Sequence, residues 1–184
     1  MLITLSNEDL VKSVEFVKAD IAEAAAKGAL RAGEHGLGHV LSMEEKIKAQ
    51  RSEAAVLQAI GLPYIRHYCF DPIDIPPNIS VRSTGKPRGL IYRACDKVDK
   101  VFILVWAISA ERFEIVGWAS DKELKTQRCR DRAAKLFQND REPVWLADAS
   151  WLNKDFESVF TSARHYDNLR TEPLPQQSDL PVLR

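Results

Sequence analysis

A chain of 184 residues with 45% apolar and 28% charged residues has the make-up of one soluble globular domain, long enough to bury a core without disulfide or metal staples. Its formal charge is zero, which excludes a global field drawing it to nucleic acid or to an anionic membrane, so binding of that kind must come from local patches. The longest apolar run, residues 101–108, falls far short of the roughly 18 residues a membrane helix needs, so no transmembrane segment and no membrane partner is expected.

Cys69, Cys95 and Cys129 lack CxxC spacing, follow no secretory leader and are odd in number, so they cannot close into a complete disulfide set. The expected setting is a reducing cytoplasm.

After a short apolar start at residues 1–5, Ser6 and Asp9 form an S-x-x-D capping signal, and Leu10, Val14, Val17, Ile21 and Ala24 keep helical spacing. The glycines of residues 33–38 break that helix, and residues 1–40 read as an N-terminal helical extension. A second cap, Ser42 with Glu45, opens a helix over residues 43–60 that Gly61 and Pro63 end.

On this helix Ala49, Glu53, Val56, Leu57 and Ile60 recur at the spacing of one apolar face. Glu53 lies at its centre. A carboxylate facing a core must find cations, hydrogen-bond donors or a metal, or else hold a proton.

From residue 64 the pattern turns toward strands, predicted over residues 64–70, 79–83, 90–95, 101–108 and 113–118. Residues 101–108 are apolar on both parities, as expected of a central strand covered on two faces. Residues 121–137 regain helical character, with Leu124, Ala133, Ala134, Leu136 and Phe137 as candidate core. Residues 143–146 read as a last strand, and Asp148 as the cap of a short helix. Residues 1–160 form one α/β domain on this reading, a central mixed sheet flanked by helices, and residues 161–184 a polar, Pro-containing flexible tail.

Several residue groups have two readings. Glu53 either binds a metal or pairs with a cation such as Arg82 beneath the sheet, and Asp74, before Pro76 and Pro77, is either a ligand or a turn acid. Ser80 and Arg82 share one strand face, as site residues or as the polar side of a half-exposed strand. Between Arg82 and Lys100 six basic residues stand against two acids, and Lys122, Lys125, Arg128, Arg130, Arg132 and Lys135 stand against three acids. Either run can touch phosphates or simply face solvent. His35, His39, His67 and His165 make no zinc constellation, the glycines of residues 33–38 make no phosphate loop, and Trp106, Trp118, Trp145 and Trp151 read as core and rim packing.

The ordered set Ser52-Glu53-Ala54-Ala55-Val56, Asp74, Ile79-Ser80-Val81-Arg82, Leu90-Ile91-Tyr92-Arg93 with Asp96, residues 101–105 and Phe113-Glu114-Ile115-Val116-Gly117-Trp118 resembles small phage and prophage proteins related to the PD-(D/E)XK nuclease superfamily. The resemblance covers roughly residues 3–152 and implies a restriction-endonuclease-like core that binds nucleic acid or a nucleotide in a bacterial host. It implies a site in which Glu53 and Asp74 hold Mg2+ or Mn2+, with Ser80 and Arg82 at the two remaining catalytic positions. Nucleic-acid contacts are then expected from Arg82, Lys86, Arg88 and Arg93.

Two departures from the pattern matter. Ser80 stands where a second acid is expected, and Arg82, which stays protonated, stands where a lysine is expected. Losing one electrostatic catalytic group commonly costs on the order of 10²-fold in rate, so the resemblance implies a weak or inactive phosphodiesterase unless Asp71 or Asp96 replaces the missing acid. The alternative is a non-catalytic interaction protein that uses the scaffold to bind a host or phage protein.

Overall fold

The computed structural model describes residues 1–26, 41–65, 74–86, 89–94, 96, 99–137 and 143–171. Their order is β1 (Leu2–Thr4), α1 (Asn7–Ala26), α2 (Met43–Ile60), β2 (Ile79–Thr84), β3 (Leu90–Arg93), β4 (Val101–Ala107), β5 (Arg112–Ser120), α3 (Asp121–Leu124), α4 (Gln127–Ala134), β6 (Val144–Ala147), a 3-10 turn (Ala149–Trp151) and α5 (Glu157–Thr171).

Helix α2 starts where the capping pattern places it. Ser42 Oγ accepts from the Glu45 amide at 3.2 Å and the Glu45 carboxylate accepts from the Ser42 amide at 2.8 Å, which satisfies two orphan donors. Gly61 ends the helix in the left-handed region at φ 82°, where a side chain would be strained.

Four strands form a mixed sheet in the order β1-β5-β4-β2, antiparallel throughout except for the parallel pair β2 and β4. Strands β3 and β6 pair separately as an antiparallel ribbon. Beside that ribbon Gly89 passes so close that a Cβ there would lie 2.2 Å from the Ala147 carbonyl oxygen.

Alternation along the strands divides the core in two. Ile79, Ile103, Val105, Phe113 and Ile115 pack against α2 and α5, while Phe102, Leu104 and Ala119 pack against the ribbon, Leu124 and Cys129. Strand β4 is therefore covered on both faces, as its doubly apolar sequence requires. Each fully buried Phe or Leu side chain there contributes about 1.5–3 kcal/mol relative to exposure.

Four elements differ from the sequence reading. Residues 2–4, not predicted as a strand, extend the sheet through β5. Tyr64 and Ile65 belong to no strand, and residues 66–70 lie outside the described residues. The predicted helix over residues 121–137 is two helices, because Thr126 caps a new one through the Cys129 amide. That cap resets the phase, so Cys129 and Ala133 face inward while Ala134 is exposed and Leu136 is 61% exposed. Finally, α5 runs ten residues past the expected start of the tail, because Phe156, Val159, Phe160 and Ala163 keep helical spacing and are buried against α2. No helix among the described residues is long and apolar enough to cross a membrane.

Candidate functional site

Glu53 projects from the middle of α2 toward α1 and the approach to β2. Gln50, one turn earlier, donates its amide Nε2 to Glu53 Oε2 at 3.0 Å, and Gln50 Oε1 in turn accepts from the Tyr64 hydroxyl at 3.2 Å. The Tyr64 ring leans on Phe16, with centroids 5.1 Å apart. This polar chain is fixed at both ends by packing, so Glu53 has little freedom to swing into water.

Among the described residues the electrostatics around Glu53 are one-sided. Burial, first, and then the negative charges of Asp74 and Asp20 hold its carboxyl well above the usual carboxylate range, against a smaller opposing effect of the Gln50 hydrogen bond. Burial, followed by Glu53 and other nearby acids, likewise pushes the Tyr64 phenol far above its ordinary value, so its hydroxyl remains a donor. Among the described residues two carboxylates and an amide act on Glu53, and no cation is among the groups that shift it. A pocket of this kind keeps a proton or takes up a cation.

Asp74 reaches the same region by way of a turn. Ile75 and Ile79 exchange backbone hydrogen bonds of 3.1 and 2.9 Å around Pro76, Pro77 and Asn78, with the Pro76-Pro77 bond cis, and this folds Asp74 back along β2. Among the described strands β2 lies at the sheet edge, and Asp74 Oδ2 accepts from its outward Val81 amide at 2.6 Å. The same oxygen accepts from the Ser80 hydroxyl at 3.0 Å, and Ser80 is buried. Asp74 therefore acts as a strand-edge clamp as well as a charge beside Glu53.

Arg82 goes elsewhere. Ser83 faces α2, where Ser52 Oγ donates to its hydroxyl at 2.8 Å, and the alternate residues Ser80 and Arg82 take the opposite face of β2. There the Arg82 guanidinium pairs with Asp96 and lies 5.2 Å from the centroid of the Phe102 ring. Asp96 also accepts from the Arg93 amide at 2.8 Å, so its two oxygens hold the end of β3 against β2. Of the four expected site residues, Asp74 is bonded to Ser80 and acts on Glu53 through its charge, while Arg82, on the same face of β2 as Ser80, is bound by Asp96. Asp96 is its counter-ion, and Asp71 lies outside the described residues.

Because both members of this pair are partly exposed, replacing Asp96 with Asn is expected to lower stability by only about 1 kcal/mol, or roughly 2–4 °C in a thermal melt. A loss of more than 10 °C would show that Asp96 carries far more of the fold than an ordinary ion pair.

Among the expected nucleic-acid contacts, Lys86 is exposed at the turn after β2, where Thr84 Oγ1 donates to its carbonyl at 2.6 Å. Arg93 is partly buried at the end of β3, and Arg88 lies outside the described residues. Cys129 is a buried free thiol, His165 is exposed on α5, and Cys69, Cys95, His35, His39 and His67 lie outside the described residues.

Sequence reasoning missed Asp20, Gln50 and Tyr64. A signal for two of them was present, since Asp20 follows the buried Val17 by three positions and Gln50 precedes Glu53 by three, each on the same helical stripe.

Among the described residues no group of three His, Cys, Asp or Glu side chains stands close enough to share one ion. A magnesium-like cation is compatible with less, because it keeps several waters and is commonly held by only one or two carboxylates together with substrate phosphate. Glu53, with no cationic partner acting on it among the described residues, and the second oxygen of Asp74 are the donors that fit such a site. Comparison of the chain with protein-family models, with curated proteins and with solved structures finds no match.

Proposed function

We propose that this chain is a restriction-endonuclease-like protein of a phage or prophage, acting in the host cytoplasm, that receives Mg2+ or Mn2+ between Glu53 and Asp74 and binds a phosphodiester or nucleotide there. The observation that supports this most is the pairing of two acids, distant in sequence, with no cation among the described residues acting on Glu53. A fold gains nothing in stability from such an arrangement unless a proton or a cation is taken up. When bound, the cation supplies charge neutralisation for phosphate and a more acidic water. Asp74 is held in place by Val81 and Ser80, Glu53 by Gln50, and Tyr64 keeps that amide oriented.

Arg82 favours a reduced version of this activity. Engaged by Asp96 and lying near the Phe102 ring, it does not serve as a base and is not directed at Glu53. Turnover by this pocket is therefore expected to be slow. The same observation favours the second reading, in which the scaffold binds a protein partner without catalysis.

Incubating the purified chain with single- and double-stranded DNA and RNA in millimolar Mg2+ or Mn2+ separates the two. Slow metal-dependent cleavage, abolished in both Glu53→Ala and Asp74→Ala, is the expected result. Cleavage that persists in both variants would remove these acids from the reaction, and no cleavage with any substrate would leave the partner-binding reading.

A further inference from the structure

Across the central sheet from Glu53, a cleft of about 560 Å³ opens between α3, α4, the end of β5 and the 3-10 turn. Its floor is apolar and buried, formed by Leu124, Cys129 and Leu152. Its rim is a plane-on-plane pair: the Arg128 guanidinium carbon lies 3.4 Å from the centroid of the Trp151 ring, and Trp151 remains 37% exposed. A second guanidinium, that of Arg132, stands 5.6 Å from the same ring and is anchored by Asp148.

Among the described residues the acids around this cleft are bonded to groups other than Arg128, which acts on Asp148 through its charge alone. Glu123, the acid in the lining, is committed to its helix cap, accepting from the Ser120 amide and hydroxyl at 2.7 Å each. Asp131 accepts from the Gln127 amide at 2.7 Å, and Asp148 is taken by Arg132 and Ser150. Arg128 is exposed and makes no hydrogen bond or close ion pair with a described residue, so stacking orients its planar donors without consuming them. Nearby, Arg130 on α4 lies 5.2 Å from the centroid of the partly exposed Trp145, which continues the basic and aromatic surface.

An exposed indole, a pre-oriented guanidinium and an apolar-floored cleft are together the chemistry that receives a base by stacking and its phosphate by paired N–H donors. We propose that this cleft binds a nucleotide unit, with the base against Trp151 and the phosphate on Arg128, either within a single strand or as a free nucleotide. The site is independent of the acid pocket on the other face and needs no metal.

The test is fluorescence anisotropy of a short labelled oligothymidylate with the full chain, in a chelator so that the acid pocket takes no part. Arg128→Ala and Trp151→Ala are each expected to weaken binding about tenfold or more. Trp151→Phe keeps a ring face and is expected to retain most of the affinity, whereas Arg128→Lys keeps the charge and loses the planar fork, so it is expected to lose affinity. These two milder variants decide the matter if an alanine variant unfolds. Competition by adenosine monophosphate identifies a free nucleotide as sufficient, and competition by oligonucleotides alone identifies a strand. The proposal is overturned if the oligonucleotide does not bind, if the alanine variants bind as tightly as the parent, or if inorganic phosphate displaces it as well as adenosine monophosphate does.

Discussion

Replacing Glu53 with Gln is expected to make the metal-free protein more stable at about pH 8, by roughly 1–2 kcal/mol or a few degrees in melting temperature, a gain typical of relieving strain at a functional site. Burial and the neighbouring carboxylates raise the Glu53 pKa in the folded state. The native protein therefore binds a proton that the unfolded chain gives up more easily. The contribution of Glu53 to stability is complete below the unfolded carboxylate value and is lost as pH rises through the higher native value. Gln fills the same space, still offers Gln50 an oxygen acceptor, and never ionises. The difference between variant and parent should be small near about pH 4 and grow as the solution becomes alkaline. Thermal melts across that range in a chelator measure it directly. A difference independent of pH, or a variant less stable at every pH, would show that Glu53 is not held against its own charge.

Asp74 is expected to behave in the opposite way. Truncating it to Ala removes the acceptor for the Val81 amide and for the hydroxyl of the buried Ser80, and each orphaned donor costs about 1–3 kcal/mol. Relief of repulsion on Glu53 returns part of that, leaving a net loss of about 2–4 kcal/mol, or roughly 5–15 °C. Asp74→Asn retains an oxygen acceptor for both donors while removing the charge that acts on Glu53. It should stay within about 1 kcal/mol of the parent. Equal losses in the two variants would mean that the charge of Asp74, and not its clamp on the strand edge, supports the fold.

Much of the framework is legible in the sequence because the signals are local. Ser42 with Glu45 and Gly61 set the limits of α2, and the doubly apolar run that becomes β4 announces a central strand. Glu53 could be singled out because a helix has a fixed period, which places its side chain on the apolar face whatever the rest of the chain does. What surrounds it depends on long-range pairing. Asp20 comes from another helix, and nothing local to Glu53 indicates which way α1 turns its Val17 and Asp20 stripe.

The position of Arg82 is the clearest limit. Period-two alternation correctly put it on the same side of β2 as Ser80, but the side that faces α2 is decided by the parallel pairing of β2 with β4 and by the separate ribbon that carries Asp96 within reach. Likewise, the basic run on α4 could be counted from the sequence. That Arg128 lies flat on Trp151 follows only from the path of the chain through β6 and the 3-10 turn.

The acid pocket is tested most directly by titrating Mn2+ into the chelator-stripped protein near neutral pH by calorimetry, in two buffers of different ionisation enthalpy, with Glu53→Gln alongside. A cation that displaces the proton held on Glu53 should bind saturably, release protons so that the heat depends on the buffer, and lose both effects in the variant. No heat at millimolar Mn2+, or equal binding by Glu53→Gln, would contradict the assignment of Glu53 and Asp74 as a cation site.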